Sequence, residues 1–248
     1  MGSTNETSPA PGRAESETSP SPGRGENLAI LIAARNEADT ISAAVGSLRT
    51  AFPGASIWVA DDASDDGTND LALAAGARVV RRGRVHGKGG NVTACAEAML
   101  SDSEPPAFVL LCDADLAVSA GQLGRLVDAV DNGECDLAVA AFARRVGGGF
   151  GIALGFSHWV IKRRCGADTI APISGQRAMR TEVLRAVLPF APNYGMETGM
   201  TIDAVRAGYR LGEYELELAH RATGKTLKGF LHRFRQMVDF ARVYISRR

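Results

Sequence analysis

The chain has 248 residues, and its 28 Lys and Arg balance 28 Asp and Glu to a formal net charge of zero. That length supports one large domain with a sizeable core, and the balance gives no general attraction to nucleic acid, which is not expected as a partner. A bilayer-spanning helix takes about 20 consecutive apolar residues, and no such run occurs.

Residues 1–27 are built from Ser, Thr, Pro, Gly and Glu, with no large aliphatic side chain after Met1. Such a segment cannot bury enough apolar surface to order itself and lacks the apolar stretch of a signal peptide, so it is expected as a disordered leader. Leu28–Ala34 is a short continuous apolar run, the mark of a strand covered on both faces. A helix follows through Ile41, Val45 and Leu48 and stops at Pro53-Gly54. Ile57–Ala60 predicts the next strand, followed by an Asp-rich turn, a helix over Asp70–Ala75 and a third strand over Ala77–Val80. A Gly-rich loop leads into a helix from about Asn91 to Leu100.

Ala107–Cys112 predicts a fourth strand. The helix after it is expected to open on a capping box, with Ser119 as N-cap and Gln122 three residues on. Leu137–Phe142 predicts a fifth strand. This alternation argues an α/β fold, a mostly parallel doubly wound sheet flanked by helices in a single domain. Ligands then bind outside the carboxyl ends of the strands. Arg35-Asn36-Glu37, Asp61-Asp62 and Asp113-Ala114-Asp115 all fall at that edge.

Beyond Phe142 the segment Arg144–Ala171 is Gly-rich and then basic, and is expected as a mobile lid with a short helix over Leu154–Ile161. Helices are predicted over Thr181–Leu188 and Glu197–Ala207, and a strand over Arg210–Leu218. The tail from Leu227 to Ile245 is an amphipathic basic helix. Its apolar residues suit docking on the domain, and its cations are left to attract an anionic acceptor. Contact with an anionic membrane surface is the rival use of the same helix. Cys95, Cys112, Cys135 and Cys165 form no C-x-x-C pair and are expected as reduced thiols of a cytoplasmic, at most membrane-peripheral, protein.

The candidate chemistry concentrates at the strand ends. On an extended strand Asp113 and Asp115 point one way and Ala114 the other. Two such carboxylates repel unless a cation lies between them, and their oxygens suit Mg²⁺ or Mn²⁺. An Asp-rich turn is the bland alternative. Arg35, Asn36 and Glu37 supply donors and acceptors for a base and ribose, although Glu37 also suits helix initiation. Of Asp61 and Asp62, one is expected to accept from a pyrimidine N–H and the other to be structural. Lys88, between Gly87 and Gly89, places a cation near ribose or diphosphate. A P-loop is excluded, because Gly83 and Gly87 lie too close together and Gly89 replaces the required Ser or Thr. No G-x-G-x-x-G follows the first strand, which excludes a dinucleotide site.

In order, Ile32–Glu37, Val59–Thr68, Gly87–Asn91 and Asp113–Asp115 resemble the successive motifs of family 2 glycosyltransferases with the GT-A fold. The resemblance covers Leu28 to about His232, and Ala63 stands where the family has Gly. It implies a glycosyltransferase domain over 28–226, with a nucleotide-binding half (28–117), an acceptor-side half (118–226) holding a lid over 144–171, and the basic helix of 227–248. The nucleotide of a donor, most simply a UDP-sugar, would meet Ala33, Arg35, Asn36, Glu37, Asp61, Asp62, Lys88, Asp113 and Ala114. Asp113 and Asp115 would hold Mg²⁺ or Mn²⁺.

Pro172–Arg177 and Tyr194–Gly199 resemble acceptor-side motifs of the same family, nearest its glucosyl-3-phosphoglycerate synthase and polyprenyl-phosphate glycosyltransferase branches. That likeness adds His220 as a third metal ligand. It assigns the sugar and an anionic or hydroxyl acceptor to Ser174, Gly175, Gln176, Glu197, Thr198 and Arg221. Glu197 and Asp115 become the catalytic candidates. Many inverting members carry Glu-Asp where this chain has Glu197-Thr198, so the stereochemical outcome stays open. A homodimer is compatible with the branch. Two other functions use the same residues: a sugar-nucleotide or phosphate-ester hydrolase, and a non-catalytic nucleotide-sugar binding module. The haloacid-dehalogenase phosphatases share the D-x-D, but Ala117 stands where they need Thr or Val.

Overall fold

The computed structural model describes residues 25–142, 151–218 and 227–248; of the leader expected over residues 1–27, all but the last three residues lie outside them. Seven strands form one sheet in the order β3-β2-β1-β4-β6-β5-β7. They are β1 (Leu28–Ala34), β2 (Ser56–Asp61), β3 (Arg78–Arg81), β4 (Phe108–Asp113), β5 (Leu137–Phe142), β6 (Arg177–Arg180) and β7 (Leu211–Leu216). Every pairing is parallel except those of β6, which runs antiparallel to β4 and β5. The helices are α1 (Ile41–Ala51), α2 (Thr68–Ala74), α3 (Lys88–Leu100), α4 (Gly124–Asp131), α5 (Gly151–Cys165), α6 (Thr181–Val187), α7 (Met196–Arg206) and α8 (Leu227–Ser246).

The apolar run of β1 shows why the sheet is covered twice. Leu28, Ile30 and Ile32 pack in one core with Ile41, Val45 and Leu48 of α1. Ala29 and Leu31 face the other way and pack with Val92, Cys95 and Met99 of α3. Successive side chains of a strand serve opposite faces, so a strand buried on both must be apolar throughout. The register then aligns the strand ends: Ala33 lies beside Asp113 and Ala34 beside Asp61.

Three expectations need correction. β4 ends at Asp113, and a 3₁₀ helix takes over from Ala114 to Leu123. Asp113 and Asp115 therefore straddle a strand–helix junction rather than sharing one strand face. The α-helix that follows starts at Gly124, so Ser119 and Gln122 lie inside the 3₁₀ segment and form no capping box at its start. β6 had no sequence signal: four residues with two arginines do not read as a strand, and Arg177 is nevertheless 1% exposed.

The segment expected as a lid is largely anchored where it is described. α5 spans fifteen residues, and its Val160 and Ile161 are fully buried in a small core with Ile202 of α7 and Val243 of α8. Glu213 of β7 accepts from the N–H groups of Ile170 and Ala171 at 2.7 and 2.8 Å. Residues 143–150 lie outside the described residues.

α8 docks on this body. Phe240 and Val243 are buried, each burial stabilising by roughly 1.5–3 kcal/mol. Tyr244 packs on Trp159 at 5.1 Å between centroids, and the Arg164 guanidinium lies 3.6 Å over the Tyr244 ring. Arg247 closes the end of the helix on Asp203, its Nε 2.8 Å from both carboxylate oxygens.

The loops after β1 and β2 are laced together. Asn36 donates its N–H to Ser64 Oγ at 2.9 Å and accepts from the Asp65 N–H at 3.1 Å. Ala63 is held there at φ +59°, a left-handed conformation that costs a residue with a Cβ about 1–2 kcal/mol. Glycine avoids that cost but gives back about 0.4–1 kcal/mol through a more flexible unfolded chain. Ala63→Gly is therefore expected to stabilise the protein by about 0.5–1 kcal/mol in urea unfolding.

Candidate active site

The carboxyl ends of β1, β2 and β4, the start of α3 and one face of α8 enclose a cavity of about 970 Å³. Its centre is Lys88, the first residue of α3. The ammonium lies 2.6 Å from Asp113 Oδ1 and 2.8 Å from Glu197 Oε1. Burial works against its charge, but the two carboxylates outweigh that cost and hold it protonated well above the ordinary lysine range. Glu197 sits in the first turn of α7, where a negative charge meets the favourable end of the helix dipole.

The other oxygen of Asp113 is also engaged. Gln176 donates to Oδ2 at 3.0 Å, and Ser174 Oγ donates to Gln176 Oε1 at 3.1 Å. A Cβ on Gly175 would fall 2.5 Å from Asp113 Oδ2 and 2.6 Å from Lys88 Nζ, so only glycine admits the loop here. Gln176, Gly175 and Glu197 thus stand directly behind the Asp113–Lys88 wall of the cavity.

Beneath that loop lies a residue the sequence reading quoted without assigning a role. Arg177 is buried, yet it donates to two backbone carbonyls and a hydroxyl: Ser174 O at 2.8 Å, Pro172 O at 3.3 Å and Thr201 Oγ1 at 2.8 Å. Burial lowers its pKa to about 10, with Glu197 and Glu213 pulling the other way. The guanidinium holds Pro172 and Ser174 in place, and with them the loop that delivers Gln176.

The two aspartates at the end of β2 anchor backbone. Asp62 accepts from the N–H groups of His86 and Gly87 at 2.7 and 2.9 Å, which aims the loop before α3, and its side chain reaches the cavity wall. Asp61 is wholly buried, accepts from the Ser64 N–H at 3.0 Å and does not line the cavity. Asn36 turns to the β2 loop, as described, and lies off the wall. Glu37 lines the cavity and also begins a helix, its carbonyl accepting the Ile41 N–H at 2.9 Å. Ala33, Arg35, Ala114 and Asp115 line the cavity too. Thr198 points elsewhere, its hydroxyl 2.6 Å from Ser157 Oγ of α5.

His220 and Arg221 lie outside the described residues. Among the described residues no group of three His, Cys, Asp or Glu forms a metal cluster. His86 stands at the cavity wall with Nδ1 2.6 Å from the Arg84 carbonyl, whereas His158 meets the Thr169 carbonyl away from it.

Sequence reasoning missed four wall residues on other elements. Asn91 is 1% exposed, and its Oδ1 has no hydrogen-bond partner, a cost recovered when a ligand donor such as a hydroxyl arrives. Tyr194, Arg235 and Arg242 also face the cavity. Tyr194 had a signal, since it opens the acceptor-side motif. Arg235 and Arg242 sit on the basic helix, where charge composition marked the element but not the face.

A doubly wound sheet with a strand-end D-x-D, a lysine at a helix start and a carboxylate across from both defines a glycosyltransferase of the GT-A kind. The model for glycosyl transferase family 2 matches residues 29–188, and the chain belongs to that family. It is 30% identical over 217 residues to the undecaprenyl-phosphate mannosyltransferase of Micrococcus luteus, covering 79% of this chain and 85% of that protein. It is 30% identical over 200 residues to the glucosyl-3-phosphoglycerate synthase of Mycolicibacterium paratuberculosis. That match takes in 71% of this chain but 59% of the relative. Among solved structures it resembles glucosyl-3-phosphoglycerate synthase from Mycobacterium tuberculosis in complex with Mn²⁺, UDP and phosphoglyceric acid, with a TM-score of 0.70 and 26% identity. The match covers 89% of this chain and 78% of that one.

Replacing Arg177 by Met would leave two buried carbonyls and a hydroxyl without donors, each worth about 1–3 kcal/mol, while relieving the cost of burying a charge. The expected net is a loss of about 2–3 kcal/mol in urea unfolding, with Arg177→Lys losing less.

Proposed function

We propose that the chain transfers a sugar from a UDP-linked donor to a small acceptor bearing a phosphate or carboxylate, using one divalent cation. The observation that carries this reading is a large cavity lined by Asp113, Asp115 and Lys88, with Lys88 shared between Asp113 and Glu197. The solved relatives support it, since the Mycobacterium tuberculosis synthase is described with Mn²⁺, UDP-glucose and glycerol 3-phosphate or phosphoglyceric acid.

The donor set fits the cation. Asp113 and Asp115 offer hard carboxylate oxygens at the cavity wall, the chemistry that Mg²⁺ and Mn²⁺ prefer. When bound, the ion supplies Lewis-acid neutralisation of the leaving diphosphate. His220 remains the proposed third ligand. Residues 28–117 serve as the nucleotide half, with Arg35, Glu37 and Asn91 toward the base and ribose. Residues 118–226 serve as the acceptor half.

The chain's own groups then have distinct tasks. Lys88 moves its charge from Asp113 toward the diphosphate as the bond from the sugar's anomeric carbon to the diphosphate oxygen breaks. Glu197 pairs with Lys88 through Oε1, which leaves Oε2 to accept from a sugar hydroxyl and orient the donor. Gln176 and Ser174 carry the acceptor, whose hydroxyl oxygen forms the new bond to the anomeric carbon and passes its proton to the departing diphosphate.

A lipid-phosphate acceptor is the second reading, drawn from the Micrococcus luteus relative. The burial of Phe240 and Val243 favours the small acceptor, because those side chains are spent on the protein body rather than held for a membrane. No helix among the described residues is long and apolar enough to cross a membrane.

A panel of nucleotide sugars with Mn²⁺ or Mg²⁺, read by thermal shift, tests the donor. Ligand at about a hundred times its dissociation constant stabilises by about 2.7 kcal/mol, so a UDP-sugar should give the largest shift. A larger shift with a purine-nucleotide sugar overturns the uridine assignment. Lys88 also competes with the cation for Asp113. Lys88→Met is therefore expected to bind Mn²⁺ alone more tightly, on the order of tenfold, the weight of one charge-assisted contact, while losing affinity for UDP. Titration of free Mn²⁺ by electron paramagnetic resonance measures the first effect.

A further inference from the structure

We propose that Arg235 and Arg242 of α8 form the roof of the donor site and recognise the diphosphate of the nucleotide. The inference rests on the donor reading given above. The cavity runs from the carboxyl ends of β1, β2 and β4 to the face of α8 that carries Arg235, Val238, Asp239 and Arg242. α8 lies beyond residues 29–188, the part matched by the family model, so this wall stands outside that matched core.

Charge makes the roof necessary. The floor carries Glu37, Asp62, Asp113 and Asp115, and a nucleoside diphosphate adds further negative charge. The cation nearest the D-x-D, Lys88, is already shared between Asp113 and Glu197. A divalent ion and Arg35 answer part of the excess. Among the described residues, the remaining arginines on the cavity wall are the two above it, Arg235 and Arg242.

The roof is also pre-organised, which lowers the cost of binding. Arg242 donates through Nη1 to Asp239 Oδ1 at 3.0 Å, and Asp239 is 5% exposed. The pair fixes Arg242 one helical turn from Asp239 on the cavity side. Phe240, Val243 and the Arg247–Asp203 clamp hold the helix itself on α5 and α7. Tyr194 stands at the same wall. Burial, reinforced by Asp239, pushes its hydroxyl up, so it stays a neutral donor beside the arginines.

The geometry separates phosphate recognition from base recognition, and the experiment uses that separation. Calorimetric titration of the full chain with UDP and with uridine, both with Mn²⁺ present, compares the native protein with Arg235→Ala and Arg242→Gln. Arg235→Ala is expected to weaken UDP by about tenfold or more, the range of a charge-assisted hydrogen bond, and to leave uridine within about twofold. Arg235 is exposed, so its thermal unfolding should match the native chain. Arg242→Gln should show the same selectivity, and its melting curve separates that effect from the loss of the Asp239 pair.

UDP affinity unchanged in both variants would overturn the roof. So would UDP and uridine weakened equally, or UDP unchanged with a raised KM for an anionic acceptor. If the native chain itself fails to bind UDP, it is the donor reading of the preceding subsection that falls, and that result is visible before any variant is made.

Discussion

One ammonium group holds the wall of this protein's cavity together. Lys88 on α3 touches Asp113 at the end of β4 and Glu197 at the start of α7, three elements far apart in the chain. Without that cation two carboxylates would face each other in a partly dry wall, an arrangement that costs several kcal/mol per uncompensated charge. With it, the ammonium bridges the two carboxylates across the joint. The contact also occupies Asp113 fully, since Gln176 takes its second oxygen. On the proposed donor reading a cation would have to compete with these contacts, and an anionic nucleotide would favour that by drawing Lys88 away.

The glycines around Lys88 serve this placement more than they serve a phosphate. A Cβ on Gly87 would lie 1.8 Å from Asn193 Oδ1, and one on Gly89 would lie 1.9 Å from the Ala191 carbonyl. The start of α3 is pressed directly against the segment that leads into α7. That close approach brings Lys88 within reach of Glu197, and Asp62 braces it from the other side by binding the His86 and Gly87 amides. The Gly-Lys-Gly motif is thus a joint between two halves of the domain, with its cation at the seam.

Most of the sheet was legible because its strands obey one rule. Leu28–Ala34, Ile57–Ala60, Ala107–Cys112 and Leu137–Phe142 are apolar on both faces, and a parallel strand between two helix layers must be. The site residues at their carboxyl ends were legible for the same reason, since register carries Asp61 and Asp113 to one edge. What pattern could not show was the use of each side chain. Asp61 and Asn36 have the composition of ligand contacts, but each gives its Oδ1 to a backbone amide. Thr198 lies in a functional motif yet ties α7 to α5. Arg235 and Arg242 were hidden differently: a basic amphipathic helix reveals its apolar face by spacing, but which of its cations overlook a cavity depends on where the helix lands.

β6 escaped detection because it breaks the pattern that revealed the rest, and that break places the acceptor loop. In a parallel sheet every strand begins at the edge opposite the site, so the residues just before a strand cannot reach it. β6 is antiparallel, and its first residue, Arg177, pairs with Leu111 near the end of β4. The preceding residues, Ser174 to Gln176, therefore land beside Asp113. Inverting one strand brings a loop from the second half of the chain to the carboxyl edge of the first. The price is a buried arginine at the strand's start, which the fold uses to pin the same loop through the Pro172 and Ser174 carbonyls. A strand too short and too polar to announce itself is thus what brings the Ser174–Gln176 loop to Asp113.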